Sequence, residues 1–138
     1  MFQMFFKPRA SALDRFERSR TRRNQARQDK LKAKREASAQ MRALRAAVWG
    51  RDGGKCRACS TLVQLRSDDP FKLMHAHHIR FRSAGGEDTL DNLVSVCGNC
   101  HDLIHRHLIV ILGNPNETVT FTEFEKSGEA KREWESPC

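Results

Sequence analysis

The chain has 138 residues, 38% of them apolar, a mean hydropathy of −0.68 and a formal charge of +8. That length holds one ordinary domain or a small domain with a long appendage, and it excludes a large apolar core, so a metal or an oligomer interface would have to help. No run is apolar enough to cross a bilayer, and Lys7-Pro8-Arg9 ends the greasy start Met1–Phe6 too early for a signal peptide, so the expected compartment is the reducing cytoplasm.

Residues 1–47 hold fourteen Lys and Arg against four Asp and Glu, a net +10, while the remaining 91 hold eleven against thirteen, a net −2. The basic N-terminal segment is therefore the part that seeks a polyanion, through counterion release from phosphates. An anionic membrane surface competes for the same charge, but the apolar stripe of an interfacial helix is missing between about Ser19 and Lys34. From about Ala10 to Trp49 there is no Gly or Pro and helix formers dominate, which predicts a long helix. After Leu13 and Phe16 its first part has almost nothing to bury, and reads as a solvated helix or one that orders on binding. The plainer alternative is a charged arm without specific contacts. Met41, Leu44, Ala47 and Val48 recur with a helical period that can pack on the module beyond.

Arg51-Asp52-Gly53-Gly54-Lys55 ends the helix and turns the chain into a knuckle, Cys56-x-x-Cys59. Leu62 to Pro70 reads as irregular connection. Phe71 to Ile79 reads as a strand whose alternation places Leu73, His75 and His77 on one face. Ser83 to Asp88 is a loop, and Leu93 to Val96 a second strand, antiparallel to the first. Cys97-x-x-Cys100 is a second knuckle, and His101 to His107 a short helix, which completes a ββα unit. Ile109–Leu112 and Val119–Phe121 flank Asn114-Pro115-Asn116 as a hairpin, and the acidic stretch Thr122–Trp134 is expected to close as a helix. Cys138 reads as a free thiol. The expected class is α+β, divided into a basic helical arm (1–43), a metal module (44–112) and an acidic C-terminal extension (113–138).

Cys56, Cys59, Cys97 and Cys100 make a four-thiolate tetrahedron if the knuckles meet, and Zn(II) is the ion such soft ligands favour in a reducing cell. The two residues inside each pair let a tight turn aim both sulfurs at one ion. Between the pairs lie 37 residues, more than a compact zinc ribbon uses. The zinc thus closes a long insert and its role is structural. Inside the insert, adjacent histidines on a strand face opposite ways, so one can hold a metal while its neighbour faces a substrate. His77 and His101 become candidate ligands of a second, open metal site, His78 the candidate base because imidazole titrates near neutral pH, and Asn92 an amide able to fix the loop and orient an imidazole. Spacer histidines around a zinc fold are the competing interpretation.

Ala76-His77-His78-Ile79, Gly85-Gly86, Leu90-Asp91-Asn92-Leu93 and Cys97-Gly98-Asn99-Cys100-His101 together resemble the HNH endonuclease signature in its four-cysteine zinc form, over about residues 44–107. The resemblance implies a ββα-metal fold that cleaves DNA phosphodiesters with a divalent metal and leaves 5′-phosphate and 3′-hydroxyl ends. It makes His78 the first letter and general base, Asn92 the middle letter, and His101 the last letter and a metal ligand. His77 takes the neighbouring ligand position, where many relatives have Asp. Two imidazoles form a softer site than a carboxylate pair, so Mn, Ni or Zn joins Mg as a candidate catalytic ion. His105, one turn after His101, is either a third ligand or a surface residue. His75 is a neighbour of the site or filler, and Arg80 and Arg82 either grip flanking phosphates or are ordinary loop residues. The alternative to a DNA endonuclease is a non-catalytic, zinc-stabilised nucleic-acid-binding module; a third reading makes the arm an oligomerisation helix.

Overall fold

Ser11 and Asp14 open the first helix with reciprocal bonds, Asp14 N–H to Ser11 Oγ at 3.0 Å and Ser11 N–H to Asp14 Oδ2 at 2.9 Å, a capping box. The helix α1 then runs from Ala12 to Arg51 in this computed structural model, which describes residues 11–137. The expectations for Met1–Phe6 and for Cys138 lie outside the described residues. The chain divides into two compact units, Met1–Ala39 and Gln40–Cys138. Every residue from Ser11 to Gln40 is exposed, Leu13 and Phe16 included, as a segment without an apolar stripe must be.

In the second unit α1 gains a buried face. Val48 is fully buried, and Leu44 and Trp49 pack on the core, while Ala47 stays exposed. The Trp49 indole N–H donates to the Val63 carbonyl at 2.8 Å and the Arg45 guanidinium to that of Met74 at 2.7 Å. Gly53 and Gly54, at φ of 62° and 66°, stop the helix in the left-handed region, and the Gly54 N–H closes back on the Trp49 carbonyl.

Two strands come next, β1 (His75–His78) and β2 (Leu93–Val96), paired antiparallel with His75 opposite Val96 and His78 opposite Leu93. All four residues of β2 are buried; Leu93, Val94 and Val96 each contribute about 1.5–3 kcal/mol of apolar burial. The strand expected over Phe71–Ile79 is shorter. Asp69 and Pro70 hold Phe71–Leu73 in a turn, with Asp69 Oδ1 accepting from the Phe71 N–H, and Leu73 makes only an isolated parallel bridge to Gln64. That turn passes so close to Gly98 that a Cβ there would lie 2.3 Å from the Pro70 carbonyl oxygen.

Helix α2 spans Gly98–His105, starting inside the second knuckle and not at His101, because Cys97 is its N-cap and its sulfur accepts from the Cys100 N–H. It stops where His107 turns to φ 57°. Beyond it, β3 (Ile109–Gly113), β4 (Thr118–Phe124) and β5 (Ala130–Pro137) form one antiparallel sheet in the order β3-β4-β5. The hairpin around Asn114–Asn116 is present. The helix expected over Thr122–Trp134 is instead strand, turn and strand: Thr122 pairs with Glu133, Glu123 with Arg132, and Gly128 turns the chain at φ 89°. Its Glu and Lys content favours helix locally, but Val119 and Phe121 bury on alternate positions and Phe121 stacks on Trp134 at 5.5 Å. Glu123, between Lys131 at 3.3 Å and Arg132 at 2.5 Å, offsets the charge across the pair.

A buried ion network ties this sheet to the first knuckle. Asp52, its side chain fully buried, accepts from Arg51, from Arg57 at 3.0 Å and from the Ser95 N–H of β2 at 2.8 Å. Arg57, inside Cys56-x-x-Cys59, reaches on to the Pro115 carbonyl and to Ser136 of β5. A charge this deep needs such partners, and in meeting the need it fixes the knuckle against both sheets. No described helix is long and apolar enough to cross a membrane.

Candidate functional site

The two knuckles meet. The sulfurs of Cys56, Cys59, Cys97 and Cys100 all lie within 4.8 Å of one another, none of them in a disulfide. Cys59 and Cys97 are 3.7 Å apart, close to the edge of about 3.8 Å that a tetrahedron with zinc–sulfur bonds of ~2.3 Å requires. The Cys100 thiol donating to Cys56 pulls Cys56 down to about 5; that bond and burial push Cys100 up, and burial pushes Cys97 up. Sulfurs packed this tightly cannot all ionise without a cation among them, so the donor set fits structural zinc.

A second cluster is built of imidazoles. His77 points from β1 into the interior, and α2 presents His101 and His105 one turn apart on one face. Ligand nitrogens of the three lie within 4.8 Å of one another, and Nε2 of His101 and His105 are 3.2 Å apart. Nitrogens bound to one ion at ~2.0–2.1 Å in tetrahedral geometry sit about 3.3–3.4 Å apart, so these fit a shared divalent ion. Burial, with the neighbouring imidazoles adding to it, lowers His77 to about 4; burial, then His75 and His105, lowers His101 to about 4. Both are neutral near pH 7, with the lone pairs that coordination needs. His75 stacks on His101 at 4.4 Å, and Phe81 sets its edge to His77 at 5.5 Å.

His78, on the opposite side of the strand from His77, lies beside this cluster. An open cleft of about 280 Å³ is lined by His77, His78, His101, His105, Phe81 and Arg82 among others. His78 Nε2 is 2.7 Å from Asp88 Oδ1, and Arg82 grips the same carboxylate through Nε at 2.8 Å and Nη2 at 2.9 Å. The His78 contact first, then Arg82, holds the Asp88 carboxyl below its usual range. Asn92 is tied to the loop between the strands: its Oδ1 accepts from the Arg80 N–H at 2.8 Å, and its Nδ2 donates to the Arg80 and Glu87 carbonyls at 3.0 Å. Gly86 is the reason this closure works, since a Cβ there would come within 1.8 Å of the Arg80 carbonyl oxygen. The Asn92 backbone carbonyl accepts from the Ile79 N–H at 2.9 Å, extending the β1–β2 ladder past His78.

The residues singled out from sequence thus fall into four places: four cysteines together, His77 with His101 and His105, His78 beside them on the cleft wall, and Asn92 in the loop between the strands. Arg80 donates to the Ala84 carbonyl and Arg82 to Asp88, so both are engaged within the loop. Asp88 escaped sequence reading, because one carboxylate in a Gly-rich acidic loop carries no spacing signal. Phe81 escaped it because a lone aromatic just past the strand belongs to no motif.

Residues 56–107 match the family model described as HNH endonuclease. Over those residues the chain is similar to HNH endonucleases. The chain also resembles a type IV methyl-directed restriction enzyme, EcoKMcrA of Escherichia coli (strain K12), 32% identical over 62 residues. That match covers 45% of this chain and 22% of the relative, so the chain spans about a fifth of the protein it matches. The family match covers both cysteine pairs, both strands and α2, so the cysteine and histidine clusters lie within it.

Proposed function

We propose that this chain hydrolyses DNA phosphodiester bonds with a divalent metal, His78 acting as general base and water as nucleophile. The observation that carries the reading is the cleft: His78 opens into the same space as His77, His101 and His105 while standing apart from their shared nitrogens. His77, His101 and His105 would hold the catalytic ion, and an all-imidazole set favours Ni or Zn over Mn and Mg among the candidate ions. When bound, that ion supplies positive charge for the scissile phosphate and the departing 3′ oxygen. His78 takes a proton from a water lined up behind phosphorus. Cleavage leaves a 5′-phosphate and a 3′-hydroxyl. Asn92 holds the loop so that the end of β1 keeps His78 at the cleft wall. Cys56, Cys59, Cys97 and Cys100 hold structural zinc and keep the hairpin and α2 in register.

Residues 1–43 are the arm in this reading and residues 44–112 the nuclease proper, with a C-terminal extension after them. The arm adds affinity through its exposed Lys and Arg, by counterion release from the DNA backbone. It reads phosphates and not bases, which leaves sequence preference to other contacts.

The test is nicking of supercoiled plasmid across Mg, Mn, Ni and Zn with wild type and His78→Ala. Loss of a general base costs roughly 10²–10⁴-fold in rate, with zinc content and folding unchanged. Undiminished cutting by His78→Ala would remove His78 from the role. Salt-sensitive binding by the wild type with no nicking in any ion would leave the non-catalytic zinc module as the function.

A further inference from the structure

Asp88 is held at both ends, by an imidazole on one side and a guanidinium on the other, and hydrolysis by His78 and the metal leaves it without a part. We propose that Asp88, clamped by Arg82, is the positioning residue that sets the tautomer and the aim of His78. The inference rests on His78 being the base.

The chemistry comes from what a carboxylate can do. An ionised carboxylate only accepts hydrogen bonds, so at 2.7 Å from Asp88 Oδ1 the His78 Nε2 must carry the hydrogen. The proton-free nitrogen is then Nδ1, the one that can take a proton. Arg82, donating through Nε to Oδ1 and Nη2 to Oδ2, keeps Asp88 ionised and fixes its plane. The residue before Asp88 is itself pinned, because Asn92 Nδ2 donates to the Glu87 carbonyl. Asn92 therefore acts on the imidazole at one remove, through the loop that carries Asp88.

In the step, a water O–H bond breaks and its proton goes to His78 Nδ1 while the oxygen forms a bond to phosphorus. The bond from phosphorus to the 3′ oxygen breaks, and that oxygen leaves with the electron pair and takes a proton from solvent. Asp88 stays ionised throughout and stabilises the imidazolium that forms, the part an aspartate plays beside histidine in a hydrolytic triad.

Arg82 also makes the proposal sharp. In Asp88→Asn the amide oxygen can stay at the Oδ1 position, which serves both His78 Nε2 and Arg82 Nε, so the tautomer holds while the negative charge is lost. That variant keeps the aim of the imidazole and loses the charge that stabilises the imidazolium. Asp88→Ala removes the bias and leaves both tautomers populated.

The experiment uses the full chain, loaded with zinc, with histidines labelled with nitrogen-15. Long-range proton–nitrogen NMR reads the His78 tautomer, and single-turnover plasmid nicking reads the rate. The expected result is a wild-type His78 with hydrogen on Nε2, kept in Asp88→Asn, and a mixture of both tautomers in Asp88→Ala. The nicking rate falls roughly 10–100-fold in Asp88→Ala and less in Asp88→Asn, with DNA affinity, zinc content and thermal midpoint as in wild type. Asp88→Glu recovers part of the loss, which a merely structural role for the loop would not give. A wild-type rate and tautomer in Asp88→Ala, beside an inactive His78→Ala, would overturn the role of Asp88 alone. A fully active His78→Ala would overturn the base and this inference with it.

Discussion

The four cysteines and the three histidines are both clusters of metal-ligating side chains, yet they are embedded differently. Cys56, Cys97 and Cys100 are buried, and the Cys56–Cys59 turn is tied by Arg57 to Asp52, Pro115 and Ser136. The histidine cluster has one buried member, His77, while His101 is half-buried and His105 exposed at an open cleft. A cluster of four sulfurs, Cys59 exposed and the other three buried, fills a tetrahedral ion and can only hold the fold together. One that is sealed on one side and open on the other leaves coordination positions free for water and phosphate, the distinction between closed structural and open catalytic sites.

The strongest way to break this comparison is to remove ligands from each side. Cys97→Ala, or chelation strong enough to strip zinc, is expected to unfold the second unit, since structural zinc contributes about 10–16 kcal/mol in small zinc folds. Near-ultraviolet circular dichroism checks it, and a retained tertiary signal would show the cysteines to be dispensable. His105→Ala is expected to leave the thermal midpoint near that of wild type while nicking falls at least ~100-fold, a few kcal/mol of lost charge stabilisation. Plasmid cleavage beside a melting curve reads both at once; activity equal to wild type would reduce His105 to a surface residue.

The two clusters are legible in the sequence for one reason and the rest illegible for another. Cys56, Cys59, Cys97, Cys100, His77, His78 and His101 announce themselves because residue type and spacing are the chemistry. The order of β1, β2 and α2 is legible from alternation and knuckle position, although the strand start at His75 is not, because the turn at Asp69–Pro70 depends on contact with Gly98. Thr122–Trp134 misleads because its composition favours helix, whereas its pairing with β4 is decided by Phe121 and Trp134 across the sheet. Asp88 and Arg82 form a pair only once the loop closes on Asn92, which no linear pattern records.

Smaller perturbations sharpen the contrast further. Asp52→Ala leaves Arg57 buried without its carboxylate and is expected to cost about 3–5 kcal/mol, read as a lower denaturation midpoint at constant zinc; a change under ~1 kcal/mol would show the network to be passive. Deleting residues 1–39 is expected to leave the fold of the remainder intact. DNA affinity falls and its dependence on salt becomes shallower, by about one unit of log–log slope for each phosphate no longer neutralised. An unchanged slope in a salt titration would show that the arm does not touch DNA.

The separation of a holding site from a reacting site is tested most directly by measuring plasmid nicking and bound zinc together on purified His101→Ala. The expected result is zinc content equal to wild type and nicking reduced at least ~100-fold. Zinc lost in step with activity, or nicking that persists, would contradict it.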